Sequence, residues 1–237
     1  MQDHGDLVGK SRRVVRRRVG GHNGRVAVVK ALPSEVAIME NISGSADAIQ
    51  SVPGPPSPPR AFRFTRAQYE LMGESGVLAE RPRVELIFGE IVEMSPQNAL
   101  HGYAIARLTD ILTAAVARKM AVRVQLPLAL GLHSEPEPDL CVAPWPTELR
   151  PEHPQWAPLV IEVADSSLEY DRTTKLRMYA LAGVPEYWVV DVNGRAIEVY
   201  TEPAAGAYGS KRTVRVGERV AAGGVDGLVF LVSEVFG

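Results

Sequence analysis

Leu159-Val-Ile-Glu-Val-Ala164 is a six-residue apolar run with one carboxylate, Glu162, in its interior, closed by Asp165-Ser166-Ser167. A run this short, rich in aliphatic residues and bounded by turn formers, predicts a strand buried on both faces. An ionised side chain in such a strand is costly unless a cation or a metal meets it. Glu162 therefore needs a partner.

Two segments supply candidates. Upstream, Pro138-Asp139-Leu140-Cys141-Val142-Ala143 puts a second acid at the head of a second apolar strand. Downstream, Lys175 falls early in an amphipathic helix predicted over 171–181. Strand alternation groups Val160, Glu162 and Ala164 on one face, which Asp139 can share if the strands are neighbours. Two carboxylates and a lysine on adjoining elements suggest metal-dependent hydrolysis. Magnesium prefers hard oxygen ligands and is usually held by one or two carboxylates plus waters. Asp139 and Glu162 would provide these, with the Val163 carbonyl as a third oxygen. Lys175 would orient or deprotonate an attacking water, or stabilise developing charge.

The surrounding pattern predicts the rest of the domain. Thr65 is a good N-cap for a short helix to about Met72. Val84–Met94 reads as a hairpin turning at Phe88-Gly89, with Glu85 on the face of Ile87. From Asn98 to about Lys119 the period becomes helical, with Ala104, Leu108, Ile111, Leu112 and Ala115 as the apolar stripe. His101, in the first turn, reads more readily as a surface or capping residue than as a ligand. Val122–Leu132 is predicted as a long strand bent at Pro127. Glu186–Asp191 is another strand, and Asn193-Gly194 signals a type I′ hairpin into Ala196–Tyr200. Two further strands are expected at Lys211–Val216 and Val225–Phe230. Strands segregated between two helices give an α/β fold with a mixed sheet.

The chain's 237 residues allow one ordinary domain plus an appendage. Residues 1–60 carry nine Lys and Arg against five Asp and Glu, whereas residues 61–237 carry 17 against 23. The Arg12–Arg18 cluster and the Ser51–Pro59 proline-rich run predict a disordered, basic extension over 1–60 and a folded domain over 61–237. The acidic balance of that domain argues against broad phosphate-backbone binding. No apolar run approaches the roughly 18 residues of a membrane span, so no membrane partner is expected. The single cysteine, Cys141, excludes an internal disulfide and fits a reducing, cytoplasmic setting.

Taken together, several segments resemble the Uma family of the PD-(D/E)XK nuclease superfamily, a restriction-endonuclease-like family formerly a domain of unknown function. They are Arg83–Met94, Pro138-Asp139, Leu159–Ala164, and Ser167-Leu-Glu-Tyr-Asp-Arg-Thr-Thr-Lys175 through Tyr187-Trp-Val-Val-Asp191. The resemblance spans residues 62–237 and includes nothing of 1–60. It implies a restriction-endonuclease-like core of helix, three strands, helix and strand, in roles filled by 98–119, 122–132, 139–143, 159–164, 171–182 and 186–191. It also implies Asp139 and Glu162 as metal-binding acids, Glu85 as an additional family acid, Mg or Mn as cofactor, and DNA as substrate. Pairing into a homodimer is implied in the same way. The superfamily lysine would normally stand two residues after the Glu, where this chain has Ala164. Lys175 on the following helix takes its place.

Each residue also has an ordinary structural reading. Asp139 after Pro138 can cap a turn, Glu162 can pair with a buried arginine, and Lys175 can form an i,i+4 pair with Asp171. At the level of function, a metal-dependent endonuclease competes with a nuclease-fold binding or regulatory module that does not turn over. The acidic balance of residues 61–237 leans toward the second.

Overall fold

A computed structural model describes residues 60–79, 83–116, 120–145 and 152–237. The Arg12–Arg18 cluster and the proline-rich run lie outside the described residues. Among those described, no helix is long and apolar enough to cross a membrane.

The centre is a six-stranded mixed sheet in the order β3-β4-β5-β6-β7-β8. Its strands are β3 (Met120–Val124), β4 (Leu140–Pro144), β5 (Leu159–Ala164), β6 (Glu186–Asp191), β7 (Ala196–Ala204) and β8 (Ala207–Arg215). Every neighbouring pair is antiparallel except β5 with β6. Parallel neighbours need a crossover, and the helical segment after β5 provides it. That segment comprises α3 (Leu168–Tyr170), a π turn (Asp171–Lys175) and α4 (Leu176–Leu181).

All six residues of β5 are buried, as a strand covered on both faces requires. Leu159, Ile161 and Val163 face one core, packed with Leu140, Val142 and Trp188 and with Ala104, Leu108 and Leu112 of α2 (Ala99–Ala115). Val160 and Ala164 face the other, with Cys141, Ala143, Tyr187, Met178 and Tyr179. Burying each of these larger apolar side chains contributes about 1.5–3 kcal/mol. Period-two alternation places Glu162 on the second face. Cys141 is a buried core residue, and burial pushes its thiol up to about 12.

Preceding the sheet, α1 (Arg66–Glu74) is closed by a capping box between Thr65 and Gln68. The hairpin of β1 (Val84–Ile87) and β2 (Glu90–Glu93) turns at Phe88 and Gly89, whose φ values of 51° and 80° are those of a type I′ turn. It is tied down where Leu86 and Glu135 exchange backbone hydrogen bonds of 3.3 and 2.7 Å. After the sheet, β9 (Arg219–Ala221) pairs with β10 (Val229–Leu231), and α5 (Ser233–Phe236) packs against α2.

Several boundaries differ from the sequence expectation, each for a local reason. The strand expected over Val122–Leu132 ends at Val124, because Gln125 adopts φ 51° just ahead of Pro127. Helix α2 stops at Ala115, where Val116 turns extended with ψ 123°. The β6–β7 loop holds four residues, and its positive φ, 49°, is at Arg195 rather than Gly194. Asp191 organises that loop by accepting a 2.7 Å hydrogen bond from the Gly194 N–H. The expected strand Lys211–Val216 begins earlier, at Ala207, and Val225–Phe230 contributes only β10.

The crossover helix also starts earlier, at Leu168, and carries the unexpected π turn. There the Asp171 carbonyl accepts from the Leu176 N–H and from the Tyr187 hydroxyl at 3.0 Å. A side chain entering the helical ladder is a recognised cause of such a bulge.

Candidate active site

β4 and β5 are antiparallel, so the start of one and the end of the other lie at the same edge of the sheet. β4 pairs with β5 only from Leu140, opposite Ile161. Residues 162–164 thus run past the head of β4, and the Asp139 side chain fills the gap. Its Oδ2 accepts from the Val163 N–H at 2.9 Å, while the Asp139 N–H donates to Glu162 Oε2 at 3.3 Å. A strand residue presents its N–H and C=O to the same neighbour. The Val163 carbonyl therefore faces the same gap.

Lys175 reaches this edge from the π turn. Its Nζ lies 3.0 Å from Glu162 Oε1 and 3.3 Å from Glu85 Oε1, with the lysine side chain 7 % exposed. Tyr179, one helical turn on, donates to the same Glu162 oxygen at 2.6 Å. Glu162 thus pairs with a lysine and a tyrosine, and the alternative of a buried arginine is corrected. Lys175 likewise turns away from an i,i+4 pair with Asp171, whose Oδ2 accepts from the Ser167 hydroxyl at 2.6 Å. Of the acids in the Val84–Met94 hairpin, Glu85 is buried, whereas Glu90 and Glu93 are exposed.

Asp139, Glu162, Lys175, Glu85 and Val163 all line one cavity of about 300 Å³. Its wall also includes His101, Tyr170, Asp171 and Asp165. Six carboxylates face it against a single lysine, and burial, reinforced by this excess, sets the ionisation of the site. Burial, reinforced by Asp139, Asp171 and Glu85, pushes the Glu162 carboxyl up to about 8 despite Lys175. Burial also lifts Asp171 to about 6. For Lys175, burial favours the neutral amine, but Glu162, Glu85, Asp171 and Asp139 outweigh it and hold the ammonium above the ordinary lysine range. Asp139 shows the reverse balance. Burial would raise it, yet the His101 ring, the Val163 N–H and Lys175 leave it below the usual carboxylate value.

The donors fit a hard divalent cation. Asp139 and Glu162 bring carboxylate oxygens to one point of the sheet edge, Val163 adds a carbonyl, and the surplus negative charge would be offset by a cation. Two buried polar atoms on the cavity wall, His101 Nε2 and Tyr170 Oη, have no hydrogen-bond partner. Among the described residues, no three His, Cys, Asp or Glu side chains already converge as a ready-made metal cluster. Magnesium does not require one, since it commonly keeps several waters.

Three further residues shape the site: Asp171 and Arg172, which the sequence marks only as part of the family-like motif, and His101, which reads there as a surface or capping residue. Asp171 shares the inner side of the π turn with Lys175, both being buried. Arg172, between them, forms a two-pronged pair with buried Glu198 of β7, Nε to Oε2 and Nη2 to Oε1 both at 2.9 Å. Lys211 and Tyr200 also bond Glu198, at 2.9 and 2.7 Å. Burial opposes the Glu198 charge, but these bonds hold its carboxyl down at about 2. The π turn is thereby pinned to the sheet. His101 is placed by Asn98, which caps α2 by accepting from the His101 N–H at 2.9 Å.

Comparison with known proteins agrees with this architecture. The crystal structure of "a putative nuclease belonging to DUF820" from Anabaena variabilis superposes with a TM-score of 0.58 at 16% identity. The match covers 73% of this chain and 97% of that one, and at this identity it speaks for the fold. No curated protein matches the chain. The model of the Uma2 family, described as "Putative restriction endonuclease", matches residues 67–231. With more than half of its length matched and the same fold, the chain belongs to the Uma2 family.

Proposed function

We propose that the chain is a DNA endonuclease dependent on magnesium or manganese, working at the cavity between β4, β5 and the π turn. One observation carries this reading: four buried acids, Glu85, Asp139, Glu162 and Asp171, surround a single buried lysine. Membership of a family described as "Putative restriction endonuclease" suggests the reaction class.

Asp139, Glu162 and the Val163 carbonyl would hold the cation. When bound, it would offset charge on the scissile phosphate and make a bound water more acidic. The carboxylates around Lys175 favour its ammonium form. Its role is to stabilise negative charge at the reacting phosphate and to orient the Glu162 oxygen that it bonds. Glu85 keeps Lys175 in place, and Tyr179 fixes the other side of the same Glu162 oxygen. Asp139 organises the strand end through Val163.

The test is cleavage of plasmid and oligonucleotide DNA with Mg²⁺ or Mn²⁺. Activity should appear with the cation, vanish with a chelator, and fall by at least 100-fold in Asp139→Asn with an unchanged circular dichroism spectrum. Absence of cleavage of every DNA form by the full chain, at any divalent ion, would overturn it. The acidic lining of the cavity favours one rival, a nuclease-fold module that binds without turnover. Binding of DNA without cleavage would select that rival.

A further inference from the structure

Resting on the proposed cation site, we infer that His101 Nε2 is a direct nitrogen ligand of the metal and biases the site toward Mn²⁺ over Mg²⁺.

His101 Nε2 is a buried atom 3.1 Å from Asp139 Oδ2, an ion-pair distance, but it meets hydrogen-bond geometry neither there nor with any other group among the described residues. A buried imidazole nitrogen without a partner is costly, so one at this distance from a carboxylate calls for an explanation. The spacing supplies it. Two neighbouring ligands on an octahedral ion with bonds of about 2.1 Å stand about 3 Å apart. His101 and Asp139 thus already form one edge of a coordination shell without being bonded to each other.

The placement is rigid. His101 sits in the first turn of the 17-residue helix α2, with its backbone N–H capped by Asn98. Asn98 is in turn bonded through Nδ2 to Asp165 Oδ2 just beyond β5. Asp139 is fixed from the other side by the Val163 N–H. Glu162, held by Lys175 and Tyr179, is the carboxylate that must adjust, or act through a water, to complete the shell. Coordination through Nε2 places the ring proton on Nδ1.

The consequence is chemical selectivity. An all-oxygen site suits magnesium, whereas an imidazole shifts preference toward transition ions. A histidine that merely oriented Asp139 would leave the cation with oxygen ligands only. It would also leave no nitrogen signature on the metal.

The experiment uses the full chain with Mn²⁺ as probe. Electron spin-echo modulation of bound Mn²⁺ should show directly coordinated ¹⁴N, changing to ¹⁵N in protein labelled at histidine and vanishing in His101→Gln. Calorimetry should show Mn²⁺ affinity falling at least 10-fold in His101→Gln while Mg²⁺ affinity changes less than 3-fold. His101→Leu provides a second variant should the glutamine misfold. Mn²⁺ bound through Asp139, lost in Asp139→Asn, but without histidine nitrogen coupling would overturn this inference alone. No Mn²⁺ binding at all would overturn it together with the cation site itself.

Discussion

Lys175 Nζ and Glu162 Oε1 form a 3.0 Å ion pair in which both side chains are almost fully buried, 7 % and 3 % exposed. The pair joins the crossover helix to the central strand. Because Glu85 and Tyr179 meet the same two groups, neither partner can be removed without stranding several others.

Lys175→Met should therefore abolish cleavage and also destabilise the fold. Leaving buried carboxylates without their cation costs about 3–5 kcal/mol. The loss should be smaller at pH 5, where Glu162 and Asp171 are protonated, than at pH 8. Urea denaturation at the two pH values checks this, and equal losses would contradict it. Lys175→Arg should not restore activity, since a planar guanidinium does not replace a compact ammonium in a filled site.

The raised carboxyls predict an unusual pH dependence for the metal-free protein. Glu162 titrates near 8 when folded against 4.5 as its ordinary value, and Asp171 near 6 against 3.8. Between these limits the folded state binds more protons than the unfolded state, so stability falls as pH rises. Their stabilising contribution is complete below about pH 4 and lost by about pH 8. Thermal melts of the metal-free chain should show this decline from these groups, and Glu162→Gln should flatten its upper part. Added Mn²⁺ should raise Tm more at pH 8 than at pH 6, because ligation displaces the Glu162 proton.

Arg172 acts at one remove, through the π turn it anchors. Arg172→Ala should cost about 1.5–3 kcal/mol through the lost charged hydrogen bonds and reduce activity without touching the cavity wall. Arg172→Lys should recover only part, since an ammonium cannot reproduce the two-pronged contact. Denaturation midpoints read together with Mn²⁺ affinity will separate loss of stability from displacement of Lys175.

Gly89 sets the hairpin that delivers Glu85. At φ 80° a side chain is already strained, and a Cβ there would lie 2.7 Å from Arg63 Cβ and 3.0 Å from Arg63 Cα. Gly89→Ala should destabilise by about 1–3 kcal/mol. A thermal shift below that range would show that the Arg63 segment yields.

Local pattern determined much of this protein. Five apolar residues around Glu162, closed by turn formers, read as a covered strand, and alternation alone placed Glu162 with Val160 and Ala164 on one face. Gly89 marked the turn because glycine accepts a positive φ without strain, whereas Phe88, at φ 51°, is an uncommon residue in that position. The same reading extended a strand through Gln125 and a helix to Lys119, where single backbone torsions, invisible to periodicity, end both elements. It also read His101 as a surface or capping residue and Arg172 only as part of a motif. What each one meets lies far along the chain: His101 comes within 3.1 Å of Asp139, and Arg172 is bonded to Glu198.

The sequence by itself determined the strands, their faces and the residue types able to serve a hard cation. Only the tertiary structure decided which charges meet. Antiparallel pairing brings the head of β4 to the tail of β5, and a π turn held by Tyr187 and Arg172 carries Lys175 back over them. The encounter of Glu162 with Lys175 depends on chain crossing and burial, and neither is written in local spacing.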